Sequence, residues 1–167
     1  AIVAIVSLTH ATSSKTVRVV LHKSTSMQGG LLGQPLISYF VKTEFGTPPK
    51  PFNMLIDLNG REVWVPHYSK MGIVYMRLNY KNGYCKKDSS TSLKEPEEDI
   101  YKIDYKGCEL SGKVYRDVVA LKDVIESSQP VRFEQKFLAM SSASNDKFSK
   151  HQSVDGVMAL SPWPISE

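Results

Sequence analysis

The chain has 167 residues, 41% of them hydrophobic and 23% charged, with a formal net charge of +4 at pH 7. That length suits one ordinary domain with a real core, and the composition excludes a disordered or collagen-like chain. Lys and Arg are scattered among Asp and Glu with no basic stripe interleaved with aromatics, so no nucleic-acid partner is expected.

In chain order, residues 1–14 (AIVAIVSLTHATSS) open with an apolar run too short to span a bilayer. Small and polar residues follow it, and Thr9-His10-Ala11 suits a cleavage site, so the segment reads as the remnant of a secretory signal peptide. A first β-strand of the domain is the alternative. No later run reaches the length of a membrane helix, and no membrane association is expected once such a leader is removed. Residues 15–28 alternate Val17, Val19 and Leu21 with Arg18, Val20 and His22, which predicts a basic edge strand. Gly29-Gly30 then punctuates the chain.

From Pro35 onward, short strand-like runs alternate with turn signals: ISYFVKTEF, FNMLIDL, REVWVP, IYKIDY, KVYRDVVAL, EQKFLAM and DGVMAL. This spacing predicts an all-β domain, and helical periodicity is scarce. Residues 80–99 and 141–153 are polar and read as surface loops. The histidines His10, His22, His67 and His151 have no spacing that suggests a triad or a metal site, and they are expected to face solvent. No G-x-S-x-G anchor for serine catalysis occurs. Neither a metal nor any other cofactor is expected. The two cysteines, Cys85 and Cys108, could form one disulfide in an oxidising compartment or remain thiols in a reducing one.

The stretch FNMLIDLNGREVWVP carries the chemistry. An apolar run, Met54-Leu55-Ile56, delivers a single carboxylate, Asp57, into Leu58-Asn59-Gly60 before the strand resumes at Val63-Trp64-Val65. Such a carboxylate is either a turn residue or a chemical group held on a rigid scaffold.

The surrounding blocks favour the second reading. YFVKTEFGTPPKPFNMLID, then Trp64-Val65-Pro66, then DSSTS (88–92), IDYKGCELSG (103–112) and DGVMALSP (155–162) occur in that order. In these blocks the chain resembles the pepsin-like aspartic endopeptidases, specifically their N-terminal lobe. The resemblance implies an all-β, barrel-like lobe over residues 35–167, with a flap hairpin, and a basic propeptide-like strand over 15–28. Asp57 takes the place of the catalytic aspartate. Tyr105, Lys106 and Gly107 fall on the flap and Asn59 on the cleft wall, where a polypeptide substrate or ligand would lie. Trp64 and Ala159 take structural positions. The family places its second carboxylate in a C-terminal lobe, which would begin after Glu167 and is therefore an implied partner. A secreted protein, or one of the lysosomal or endomembrane lumen, is implied.

Peptide hydrolysis by carboxylates needs two of them sharing a proton, one acting as base on a water and the other as acid. This chain supplies Asp57 alone and departs from the family around it. Leu58 and Asn59 stand in place of Thr and Gly, Gly60 in place of a hydroxyl residue, and Ala159 in place of Gly. Lys106 and Cys108 stand where small glycines flank the flap tyrosine. Impaired or absent catalysis is expected, with a non-enzymatic binding protein on the same fold as the alternative. A Cys85–Cys108 bridge, if formed, would pin the flap to the preceding loop.

Overall fold

The computed structural model describes residues 2–10, 13–27, 35–68, 82–94, 100–125, 129–144 and 154–161. Ten strands run through them: β1 (Ile2–His10), β2 (Ser13–Met27), β3 (Pro35–Phe45), β4 (Lys50–Asp57), β5 (Trp64–Pro66), β6 (Leu93–Lys94), β7 (Tyr101–Tyr105), β8 (Cys108–Leu121), β9 (Val131–Ala143) and β10 (Gly156–Ala159). A single 3-10 turn, Lys86–Asp88, is the one helical element among the described residues. None of their helices is long and apolar enough to cross a membrane.

The all-β expectation holds, and the sheet closes on itself. Its order is β1-β2-β3-β4-β10-β5-β9-β8-β6, and β3 also pairs with β8, so β3, β4, β10, β5, β9 and β8 form a ring. Each ring strand sends side chains inward to one apolar cluster: Val41 and Phe45 from β3, Phe52 and Met54 from β4, Met158 from β10, Val65 from β5, Phe137 and Ala139 from β9, and Tyr115, Val119 and Leu121 from β8. Phe45 sits edge-on to both Phe52 and Phe137, with ring centroids 5.0 and 5.1 Å apart.

The alternate residues of the same strands build a second cluster on the outer face. Trp64, Leu138, Met140 and Val157 pack there against Ile103, Tyr105, Cys108, Leu110 and Val114 of the β7–β8 hairpin. Central strands covered on both faces read as continuous apolar runs rather than alternations, which explains FLAM in β9 and VM in β10. β8 serves both clusters by alternation, Cys108, Leu110 and Val114 turning to the outer one and Tyr115, Val119 and Leu121 to the inner one, and its register against β9 shifts at Ser111/Gly112. There the backbones come so close that a Cβ on Gly112 would lie 2.1 Å from the Ala139 carbonyl oxygen.

Several local expectations change. β2 is no edge strand, since it lies between β1 and β3, and Val17 and Val19 are buried in the barrel core. Residues 2–10 form a strand that pairs along β2 in antiparallel register. The polar segment before the flap is anchored by a buried Tyr84, whose hydroxyl donates to Asp117 Oδ2 at 2.8 Å. His22 stacks on Phe40 and meets Asp123 Oδ2 at 2.8 Å, and His67 is partly buried, so neither simply faces solvent. Of the loop expected over 141–153, residues 141–143 instead continue β9, where Ser142 and Ala143 pair with Ser111 and Leu110, and residues 145–153, His151 included, lie outside the described residues.

Cys85 and Cys108 are not bridged to each other. Cys85 lies close enough to Tyr115 to raise its hydroxyl pKa, second to the effect of burial, whereas Cys108 starts β8 and packs in the outer cluster. Cys108 and Tyr115 are separated by about 23 Å along the strand, seven residues at ~3.3 Å each, and a disulfide needs Cα atoms within about 7 Å. Instead, Cys108 Sγ sits 3.7 Å from Ser144 Oγ, which donates to it.

Candidate active site

The period of a strand places Asp57. Phe52, Met54 and Ile56 of β4 turn to the barrel interior, so Leu55 and Asp57 turn to the outer face, beneath the hairpin. β10 inserts between β4 and β5 with Ala159 opposite Asp57 in parallel register. The segment after Asp57 is stitched to the end of β10: the amide of Leu160 donates to the Asp57 carbonyl at 2.9 Å, and that of Ser161 to the Gly60 carbonyl at 3.2 Å. Gly60 faces Ala159 so closely that a Cβ on it would lie 3.2 Å from the Ala159 methyl.

Asp57 is 7% exposed. Its Oδ1 accepts the backbone amides of Asn59 at 3.1 Å and Gly60 at 3.2 Å, closing an Asx-type turn. Its Oδ2 accepts the Tyr105 hydroxyl at 2.6 Å and pairs with the Lys106 ammonium at 2.9 Å. Burial, the largest influence, pushes the Asp57 carboxyl up. The Tyr105 hydroxyl, the Lys106 ammonium and the Asn59 amide together outweigh it and hold the group below its ordinary value. The Tyr105 hydroxyl is pushed up by its own burial and then by the bond to, and charge of, Asp57. It therefore remains a donor.

The hairpin delivers these two groups by simple rules. Along β7, Tyr101, Ile103 and Tyr105 point inward while Lys102 and Asp104 point out. Lys106 and Gly107 form a two-residue turn with φ of 53° and 74°, the doubly positive pattern that matches the twist of hairpin strands. Asp104 Oδ1 accepts the Gly107 amide at 2.9 Å and holds the turn. Trp64 supports the tip from below, edge-on to Tyr105 at 5.8 Å and 70°.

Asp57, Tyr105 and Lys106 thus meet at one point, and Asn59 joins through its backbone amide. Gly107 lies at the tip with open space where a Cβ would be, Trp64 and Ala159 lie beneath the site, and Leu58 is 68% exposed beside it. A cavity of about 470 Å³ adjoins Asp57, between the segment 59–62 and the hairpin residues 101–106. Arg61, Glu62, Tyr101, Lys102 and Asp104 line it and were missed in the sequence. The alternation of IYKIDY could have flagged Tyr101. Arg61 and Glu62 carry no pattern of their own.

The other fully buried carboxylates are bound elsewhere. Asp117 accepts from Tyr84, Thr91 and the Val118 amide, and Asp155 from the Asn53 amide and from both the amide and side chain of Asn82. Among the described residues no second buried carboxylate shares the Asp57 site. No group of three or more His, Cys, Asp or Glu side chains there could hold a metal ion.

A ring-closed β-lobe with a carboxylate at a strand end under a hairpin defines a class of protein, and comparison with known proteins agrees. The family model for eukaryotic aspartyl proteases matches residues 38–165. Vacuolar protease A of Neurospora crassa is 33% identical over 91 residues, which cover 54% of this chain and 22% of that protein. A vacuolar aspartic protease of Candida albicans is 24% identical over 111 residues, covering 63% of this chain and 25% of that protein. The chain belongs to the eukaryotic aspartyl protease family, and its fold is a pepsin-like lobe. It matches about a quarter of the length of these curated relatives.

Proposed function

We propose that this lobe forms one wall of the peptide cleft of an aspartic-type endopeptidase, with Asp57 as its carboxylate, and that this half-site does not turn over by itself. The observation that carries the reading is the buried Asp57 at the floor of a cavity, with two backbone amides on Oδ1 and the hairpin tyrosine on Oδ2. Hydrolysis by carboxylates needs a second one close enough to share a proton. That group and the opposite wall would come from a partner lobe, and a polypeptide would be the substrate or ligand between them.

Leu58 offers no hydroxyl for a buried bond across the lobe junction, where an unpaired polar group costs about 1–3 kcal/mol. This supports impaired catalysis even with a partner lobe in place. The vacuolar names of the two relatives support an acidic lumen as the working compartment.

The test is an assay of quenched fluorescent peptides between pH 3 and 7, run on the protein and on its Asp57→Asn variant, with binding of the same peptides followed by anisotropy. Binding to the cleft without Asp57-dependent cleavage is expected. Cleavage abolished by Asp57→Asn would overturn the impaired state and leave an active endopeptidase.

A further inference from the structure

An ionised carboxylate offers about four acceptor positions. Asp57 gives all of them to its own chain: Oδ1 to the amides of Asn59 and Gly60, Oδ2 to the Tyr105 hydroxyl and the Lys106 ammonium. No position is left for a water to be activated or for a peptide group to be bound. The two amides are local and come with the turn after β4. The other two donors come from the hairpin tip and leave with it.

We propose that Lys106 makes the flap hairpin a reversible occlusion of the Asp57 site, an ion-paired tip that must be displaced before any water or peptide reaches the carboxylate. The inference rests on the reading of Asp57 as the carboxylate of the cleft, but it concerns a contact that exists without any peptide. Three features set Lys106 in this role. Its φ of 53° places it at the crest of the turn, its ammonium lies 5.1 Å from the centroid of the Tyr105 ring, and the same ammonium reaches Oδ2. Its side chain is 59% exposed while that of Asp57 is 7% exposed. Water can therefore receive the lysine easily, whereas an ionised Asp57 loses its one cationic partner and the Tyr105 hydroxyl when the tip leaves. The occlusion is thus tight when Asp57 is ionised and cheap to release once Asp57 is neutral.

The charged groups around Asp57 fit that behaviour. From the hairpin come Lys106 and Tyr105 on Oδ2, with Lys102 and Asp104 along the cavity wall, and from the segment after β4 come Arg61 and Glu62. Lys102 is engaged with Glu109 at 3.0 Å, and Asp104 holds the Gly107 amide. β10 contributes no charge, and Asp155 just before it is turned to Asn53 and Asn82. Lys106 is the one of these cations that touches Oδ2. The Asp57 carboxyl is held below its ordinary value. The tip is accordingly shut throughout the neutral and mildly acidic range and lets go as pH falls through the depressed titration of Asp57.

Trp64 provides the readout, because its ring contacts Tyr105. A Trp163→Phe change leaves Trp64 as the sole tryptophan of the chain, and its emission is followed against pH while the Asp57 carboxyl is titrated by 13C NMR. The native tip is expected to give one transition below the ordinary carboxylate range, reported by both probes. Lys106→Gln should move that midpoint up by about one to three pH units, the effect of removing an adjacent opposite charge. Lys106→Arg should restore it, and Asp57→Asn should abolish it. Lys106→Gly, which suits the positive φ of the turn, serves as a second opened variant should Lys106→Gln fold poorly. A midpoint unchanged in both Lys106→Gln and Lys106→Gly would overturn the proposal. Peptide anisotropy on the opened variants judges the cleft separately: a shifted midpoint with no peptide binding would count against the proposed function and leave the occlusion standing.

Discussion

Tyr105 and Trp64 show how one side chain can serve packing and chemistry together. The Tyr105 ring is held edge-on by Trp64 while its hydroxyl reaches Asp57. Tyr105→Phe keeps the ring contact and removes only the donor. Loss of a buried hydrogen bond to a charged group should cost about 1.5–3 kcal/mol at pH 7, measured by urea unfolding. In an Asp57→Ala background the same substitution should cost almost nothing, and an equal cost in both backgrounds would show that the hydroxyl matters for reasons other than Asp57. Asp57 itself could be read from the sequence, because an apolar strand ending in one carboxylate and a turn is a local pattern. The reach of Lys106 could not. Which residue crowns the hairpin depends on the Tyr105/Cys108 register and on the positive φ of Lys106. That the crown lies over Asp57 depends on packing between segments far apart in the chain. Gly107 marks the turn in the sequence, but the packing that sets its crown over Asp57 has no signature in local residue types.

At the scale of elements, the inward alternation of β4 and β7 survives from sequence to structure because each has one face on a core. β8 was harder to read: its polar stretch Glu109 to Lys113 looks like an interruption between two runs, yet one strand continues through it with a shift in register. Gly112 makes that shift possible. Gly112→Ala would drive a methyl into the Ala139 carbonyl, and overpacking of this kind costs on the order of 1–3 kcal/mol; a thermal midpoint within a degree of the parent would contradict the register. β2 makes a second case. The alternation there predicts a basic strand at an edge, but Val19 is fully buried in the barrel core, the Val20 amide donates to the Asp123 carbonyl, and the Ile125 amide donates to the Arg18 carbonyl. Truncating such a valine removes two methyl-sized groups and leaves a cavity, so Val19→Ala should destabilise the lobe by roughly 2 kcal/mol. A cost below about 0.3 kcal/mol would indicate that β2 is dispensable to the fold.

For the whole molecule, the titrating groups combine into one pH profile of stability. His67 is held below its ordinary pKa of 6.5, by burial first and by the charge of Lys113 second. The unfolded chain therefore binds its proton more readily than the folded one, and stability falls as pH drops below about 6.5. Asp57 is likewise depressed, and so is Asp123, where the bond from Lys42 outweighs burial and His22 adds to it. Their contribution is present above the ordinary carboxylate pKa and is lost as pH falls through the depressed folded values; a carboxyl displaced by one pH unit contributes about 1.4 kcal/mol. On the alkaline side, burial first and neighbouring acids second raise Tyr84 and Tyr105, so both stay protonated in the folded state after the unfolded chain has ionised. Stability should fall again above about pH 10. Urea unfolding from pH 3 to 11 is expected to give a plateau between roughly 7 and 10, with a shallow acid step that begins at about 6.5 and a steeper one below about 4. His67→Gln should remove the first step, and Asp57→Asn should blunt the second. A maximum of stability at pH 4 to 5 would contradict the profile: it would require carboxyls that bind protons more tightly when folded, the reverse of how Asp57 is held under the hairpin.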